Sequence, residues 1–502
     1  MEPARHPAAE PVFVVFTATM TIAAWSQNRE YRVVPGEQNF DVVILGGGSG
    51  GYAAALRSAE LGKSVALIER DKVGGTCLHR GCIPTKALLH AGEIADGARE
   101  SAQFGVNASF DGIDMAGVHK YKDGVVSKNW KGLQGLIRSR GITIVEGEGR
   151  LTGPKQVTVG SDVYTGTNVI LATGSYSRTL PGLELDGQRV IASEHALTLD
   201  RVPETAIVLG GGVIGVEFAS AWTSFGTKVT IVEALPHLVP AEDEANSKLL
   251  ERAFRRRGIG FKLGARFAGV SHTESGVRVT LEGGETLEAE LLLVAVGRGP
   301  ASANLGYEEQ GVRIERGFVI TDEYLRTSVD GVYAVGDLIS IGGTPHLQLA
   351  HVGFAEGILV AEHIAGLPVV PIDYAGVPRI TYSSPEVASV GLTEPQAAEK
   401  YGAENITTVT YDLSGNGRSA ILNTKGAVKL VAEKSDGAAG RVLGVHIVGD
   451  RVGELIAEAQ LIYNWEALPS EVAQLIHPHP TQSEAIGEAH LLLAGKPLHV
   501  HD

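Results

Sequence analysis

The 502-residue chain sets 43 Lys and Arg against 58 Asp and Glu, a formal charge of −15, and so lacks the basic footprint of a nucleic-acid binder. At roughly 100–200 residues per domain it has room for about three domains, large enough to bury their cores without disulfide staples. Its two cysteines fit a reducing, cytoplasmic setting in which disulfides are transient and catalytic, and no second Cys pair exists to complete a structural zinc site.

Residues 11–25 are uncharged and apolar apart from three threonines. They are too few for a membrane span of about 20 residues. The preceding decapeptide sets Glu2 and Glu10 against Arg5 and His6, unlike the basic start of a secretory signal. The expectation is a dispensable extension over residues 1–39, with the globular pattern starting at Phe40.

The first globular unit is complete in about thirty residues. A buried-type strand, Asp41–Leu45, runs into the glycine turn 46–51, an alanine-rich helix follows over Tyr52–Leu61, and a second strand, Ser64–Ile68, ends on Glu69. Gly46, Gly48 and Gly51 occupy the places that allow a tight turn, a pyrophosphate and close helix-to-strand packing. The helix start offers free N–H groups to phosphates, and Glu69 is spaced to accept ribose hydroxyls.

Cys77 and Cys82 come next, within Gly74-Gly75-Thr76-Cys77-Leu78-His79-Arg80-Gly81-Cys82-Ile83-Pro84. A disulfide needs Cα atoms about 4.4–6.8 Å apart, whereas five residues of straight helix rise about 7.5 Å. The segment must therefore bend, and Gly81 is the residue that permits it. A helix beginning around Pro84 and running through Leu89 would hold a thiol near its N-terminus, where the thiolate is favoured. That reads as a redox pair; two buried thiols packed as small hydrophobes is the plain alternative.

Strands are predicted over 155–163 and 168–172, the latter closing on Thr173-Gly174. The glycine unit then recurs: strand Thr205–Leu209, Gly210, Gly212 and Gly215, a helix to Phe225, and strand Lys228–Val232 closing on Glu233. One such turn is weak evidence. Two complete copies imply two dinucleotide cofactors that exchange electrons. A carboxylate at the end of the second copy, with no arginine pair after it, favours a free 2′-hydroxyl and so NAD over NADP. Leu291–Arg298 and Gly331–Val335 read as further strands, and beyond Pro368–Pro371 the pattern becomes antiparallel, with helices over 453–465 and 471–476.

Together these residues resemble the pyridine nucleotide–disulfide oxidoreductases, and within them the branch acting on dihydrolipoamide, from about Asp41 to Leu493. The resemblance rests on both glycine units, the cysteine segment through Lys86, Ala172-Thr173-Gly174, Val296-Gly297-Arg298, Ala334-Val335-Gly336-Asp337 and His477-Pro478-His479-Pro480-Thr481-Gln482-Ser483-Glu484. It implies an α/β chain with two Rossmann-like domains and a C-terminal α+β dimerisation domain. FAD would be held by a split domain (40–176 and 299–368), NAD by 177–298, and the dimer by 369–502.

On the same basis FAD would meet Gly46, Gly48, Gly51, Glu69, Lys86, Gly149, Thr173, Gly174, Asp337, Ala350 and His351. NAD would meet Gly210, Gly212, Gly215, Glu233 and Gly297. Cys77 would exchange with substrate and Cys82 would face the flavin, with Lys86 paired to Glu217. His479 would act as base, oriented by Glu484, across a homodimer interface, while His477 is structural. The implied partner is dihydrolipoamide, free or on a lipoyl domain of a 2-oxoacid dehydrogenase or glycine-cleavage complex.

Overall fold

The computed structural model describes residues 36–435 and 438–500. The first thirty-five residues, with most of the predicted extension, lie outside that range. The expected boundary at residue 39 is too late: Glu37, Gln38 and Asn39 already pair with Val163, Tyr164 and Thr165, because the long partner strand continues the ladder past the apolar run.

The chain opens with β1 (Glu37–Leu45), α1 (Ser49–Glu60) and β2 (Val65–Glu69). Two helices follow in series, α2 (Gly75–Arg80) and α3 (Cys82–Glu100), then the long α4 (Met115–Ser139). The run 155–163, read as one strand, is cut by a turn at Gly160. The sheet is completed by β3 (Thr143–Glu146), β4 (Gly149–Gly153), β5 (Gln156–Val159) and β6 (Asp162–Leu171), in the order β3-β2-β1-β6-β5-β4. Its parallel core is Val42–Leu45, Val65–Ile68 and Val169–Leu171, all essentially inaccessible. Such strands carry continuous apolar runs because helices cover both faces.

The second unit repeats this plan. After β7 (Ser175–Ser177), β8 (Val190–Ile191) and the short α5 (Ser193–Ala196) come β9 (Thr205–Leu209), α6 (Val213–Phe225), β10 (Lys228–Val232), α7 (Glu244–Arg256) and β11 (Gly260–Lys262). A meander of β12 (Phe267–His272), β13 (Val277–Leu281) and β14 (Thr286–Ala289) leads to β15 (Leu291–Val294), giving the parallel order β11-β10-β9-β15-β8. The chain returns through β16 (Arg298–Pro300), which pairs with β7, then β17 (Ile314–Glu315), β18 (Phe318–Thr321) and β19 (Val332–Ala334). β19 rejoins the first sheet alongside β6. In each sheet the order reverses beside the first strand, and at that switch point a crevice opens over the strand ends.

β20 (Ile339–Ile341) and β21 (Thr344–Pro345) precede α8 (Ala350–Ile364), which packs on α1. The last part is antiparallel: β22 (Arg379–Thr381), β23 (Glu386–Gly391), α9 (Glu394–Tyr401), β24 (Ile406–Asp412), α10 (Gly417–Leu422), β25 (Ala427–Ser435) and β26 (Ala438–Gly449). α11 (Val452–Asn464) covers this sheet, followed by α12 (Pro469–Val472) and α13 (Glu484–Leu493). The helix expected over 471–476 stops at Val472. Leu475 and Ile476 instead stand 60% and 97% exposed, so the described residues offer them no apolar surface on which a further turn could rest.

Candidate active site

The two glycine turns share their backbone geometry at matching positions. Gly46 and Gly210 both take φ of +109°, and a Cβ on either would strike a carbonyl, that of Ala172 at 2.2 Å or Ala295 at 2.3 Å. A Cβ on Gly51 would lie 1.8 Å from the Gly46 oxygen, and one on Gly215 would lie 1.9 Å from that of Gly210. Gly48 and Gly212 differ from these four: each caps its helix with no side-chain acceptor, and a Cβ on it would meet nothing within 4 Å. The helix N–H groups therefore open onto free space, which fits a pyrophosphate at both turns.

The strand-end acids are matched as well. Glu69 accepts from the Gly47 N–H at 2.7 Å and the Asp71 N–H at 2.9 Å. Glu233 accepts from the Gly211 N–H at 2.6 Å and the Leu235 N–H at 2.8 Å. Beside Glu69 a cavity of about 330 Å³ is lined by Lys72, Trp130, Arg138 and Glu146, room for the adenosine end of a dinucleotide. With a flavin on the first turn and NAD⁺ on the second, as the resemblance implies, Gly51→Ala is expected to weaken flavin retention about 5- to 150-fold, the 1–3 kcal/mol typical of overpacking. Gly215→Ala should keep the flavin and lose NAD⁺ affinity by a similar factor. The flavin-to-protein absorbance ratio and NAD⁺ titration check the pair.

The cysteine segment is docked on the first turn. The Gly74 N–H donates to the Gly47 carbonyl at 2.8 Å, and a Cβ on Gly75 would come within 2.6 Å of the Gly48 Cα. This contact explains Gly75, while Gly74 takes φ of +111° and a Cβ on it would strike Leu78 at 2.4 Å. Cys77 sits in α2 and Cys82 is the first residue of α3. The bend between them falls at Gly81, with φ −144° and ψ −109°.

Both cysteines are free thiols, and they hydrogen-bond each other. That bond, then burial, pushes the Cys77 thiol up. The same bond, opposed by burial and aided by the Lys86 charge, pulls Cys82 down to about 7. The start of α3 adds its own positive end. Tyr52 of α1 is held up at about 12, by burial first and then by the two thiols beside it.

Lys86 lies one turn along α3 from Cys82. Its Nζ is 2.9 and 3.0 Å from the two carboxylate oxygens of Glu217 on α6. Burial alone would depress the ammonium, but the Glu217 charge and hydrogen bonds more than reverse this. Glu217 is 3% exposed and also accepts from the Tyr382 N–H at 2.9 Å, while the Tyr382 ring lies 4.6 Å from Lys86 Nζ. Lys86→Met is expected to raise the Cys82 thiol, because a charge that helps to hold it low is lost. Thiol modification rate against pH reads this.

At the crossover, Thr173 Oγ1 donates to the Ala301 carbonyl at 2.7 Å and meets the buried Tyr307 hydroxyl at 3.1 Å. Gly174 turns with φ of +71°. Asp337 accepts from Ser175 Oγ at 2.5 Å, and Arg298 donates to the same hydroxyl at 2.7 Å. Ala350 and His351 open α8, and the His351 ring is tied to the Pro378 carbonyl at 2.9 Å. Gly297 takes φ of +107° in open space. Gly149 is different. Its missing side chain faces Leu45 and Ile68 at 2.5 and 2.9 Å, so core packing accounts for the glycine.

His479 Nδ1 lies 2.8 Å from Glu484 Oε1, and Glu484 also accepts from the Thr481 N–H at 2.7 Å. Burial raises the Glu484 carboxyl, but the Thr481 and His479 hydrogen bonds outweigh it and leave it low. Glu484 opens α13, a helix that motif reading missed although only Glu488 and His490 interrupt the apolar run 485–493. His479 is 77% exposed, while His477 is bound to Glu458 at 2.7 Å. Reading the sequence also missed Tyr52, Trp130, Ser175 and Tyr382, which carry no motif of their own.

Residues 40–357 match the family model for pyridine nucleotide-disulphide oxidoreductases, and residues 377–490 match the dimerisation domain of that family. The chain belongs to the pyridine nucleotide–disulphide oxidoreductase family. It is 41% identical to the dihydrolipoyl dehydrogenase of Bacillus subtilis over 92% of this chain and 99% of that protein. The mitochondrial dihydrolipoyl dehydrogenase of Pisum sativum is 38% identical, covering 94% and 95%. Among solved structures, LpdA of Mycobacterium tuberculosis superposes with a TM-score of 0.82 at 29% identity, over 90% of this chain and 99% of that one. The flavoprotein disulfide reductase RclA of Escherichia coli gives 0.80 at 29%, over 90% and 100%. Family membership makes the C-terminal antiparallel part a dimerisation domain. No helix among the described residues is long and apolar enough to cross a membrane.

Proposed function

We propose that this chain is a dihydrolipoyl dehydrogenase, using FAD and NAD to oxidise dihydrolipoamide through Cys77 and Cys82. The observation that carries the reading is the Cys82 thiol, placed at the start of α3 beside Lys86–Glu217 and docked on the first glycine cradle. In the oxidised enzyme a substrate thiolate attacks the Cys77 sulfur, breaking the Cys77–Cys82 bond and releasing the Cys82 thiolate. The second substrate thiol, its proton taken by His479, attacks the mixed disulfide; the substrate leaves as its cyclic disulfide and Cys77 as a thiolate. Two electrons are then held in the reduced pair. Bound FAD supplies the two-electron relay from this pair to NAD⁺.

Lys86 keeps a positive charge beside the Cys82 thiolate, and Glu217 keeps Lys86 in place. Glu484 orients the His479 ring and stabilises its protonated form. Glu233 supports NAD over NADP by repelling a 2′-phosphate. The pairing of β19 with β6 and of β16 with β7 supports a split FAD domain of 40–176 and 299–368 around an NAD domain of 177–298.

The active unit is a homodimer in the cytoplasm, serving a lipoyl domain of a 2-oxoacid dehydrogenase or glycine-cleavage complex. Leu475 and Ile476, exposed just before His477 and His479, supply apolar surface for the partner subunit. The deciding assay is the initial rate of NAD⁺ reduction by dihydrolipoamide, with NADP⁺ as the parallel acceptor. A fast rate confined to NAD⁺ is expected. A flavin-loaded protein with no rate would overturn the assignment.

A further inference from the structure

Arg257, which closes α7, reaches three parts of the chain at once. Its Nη1 donates to Ser220 Oγ at 2.7 Å and to the Ser384 carbonyl at 3.1 Å. Its Nη2 donates to Ser224 Oγ at 2.7 Å and to Asp96 Oδ2 at 2.9 Å. The acceptors are themselves linked: Ser224 Oγ donates to Asp96 at 2.6 Å, and the Ser384 N–H donates to Ser220 Oγ at 2.9 Å.

The spacing connects this cluster to the thiols. Glu217, Ser220 and Ser224 are three and four residues apart, so they form one stripe on α6. That stripe faces α3 and the segment 382–384. Its first member holds Lys86 of α3 and the Tyr382 N–H; the other two meet Asp96 of α3 and the Ser384 N–H directly, and Arg257 braces both contacts by donating to Ser220, Ser224 and Asp96 at once. The two helices approach closely between these points, since a Cβ on Gly92 would come within 2.9 Å of Ser224 Cβ. The contact is thus pinned at both ends, by Lys86–Glu217 near the cysteines and by Asp96–Arg257–Ser224 at the far end.

We infer that Arg257, with Asp96, is a positioning residue of the redox centre: it fixes the register of α3 against α6 and so keeps Lys86 against Glu217 at the Cys82 thiol. The inference rests on the dithiol reading above. The groups facing Cys82 are Cys77, Lys86, Glu217 and Tyr52, none of which Arg257 touches, so its effect is indirect.

The test uses Cys77→Ser protein, which leaves Cys82 as the sole thiol in the sequence, with FAD bound. The rate of Cys82 modification by methyl methanethiosulfonate is followed against pH. Adding Arg257→Gln is expected to move the inflection up by about 0.5 unit or more, a fraction of the 1–3 units that a close opposite charge supplies. Asp96→Asn should move it the same way, and Arg257→Lys should recover part of the shift. An Arg257→Gln protein that matches its parent in thermal midpoint and flavin content but also in inflection overturns the inference. Should that variant not fold, an unmoved inflection in Asp96→Asn does the same. Thiol modification needs no turnover, so rejection of dihydrolipoamide as substrate would leave this readout intact.

Discussion

Cys82→Ser is expected to abolish NAD⁺ reduction by dihydrolipoamide, with a fall of at least about 10⁴-fold, the scale reached when a nucleophile that no other group can replace is lost. The cause is specific. With Cys82 gone, the chain holds a single thiol, so neither the internal disulfide nor a reduced pair can form. The fold should survive, because Cys82 is only partly buried at a helix start and serine is well tolerated near helix N-termini. Flavin content and thermal midpoint close to the parent's, with the rate at background, is the expected outcome. Retention of more than about a hundredth of the rate would mean that electrons reach NAD⁺ by a route that bypasses the pair.

His479→Ala carries the second large effect, about 10²- to 10⁴-fold on the same reaction, the usual contribution of a positioned base. Its exposure makes a sharper experiment available. A base that is 77% exposed on its own chain, beside the apolar Leu475 and Ile476, is placed to serve a partner subunit. Refolding Cys82→Ser and His479→Ala chains together as a mixture should therefore restore activity. Half of the dimers are then mixed, and each mixed dimer owns one intact site, so about a quarter of the wild-type rate is expected under two-fold symmetry. Either variant refolded alone should stay near background. Failure of the mixture to recover, with mixed dimers demonstrated, would place the base and the disulfide within one chain.

Much of this centre was legible in the sequence because its chemistry is local. The glycine turns, the strand-end acids, the cysteine segment and the histidine motif each need particular residue types within a few positions, and such spacing survives in one dimension. Lys86 and Glu217 could be paired only through family resemblance, being 131 residues apart. Tyr382, Ser175 and Arg257 were invisible because they act by where the fold delivers an ordinary backbone N–H, hydroxyl or guanidinium. Element ends slipped where tertiary context overrode local pattern: β1 starts early because β6 extends to meet it, and α12 stops at Val472 where exposed apolar residues follow. Gly149 has a further reason to be glycine that the motif did not show, since a side chain there would strike Leu45 and Ile68.

The strand-end acids have a consequence for recoding this enzyme. Glu233 holds the backbone of the second glycine turn through the Gly211 N–H, and in the proposed reading it also stands where the ribose would be read. Replacing it to admit a phosphorylated coenzyme removes a discriminating charge and a structural tie in one step. Selectivity and loop order are therefore linked traits at this position. A switched variant that also gives that amide a new acceptor is therefore expected to outperform the single replacement.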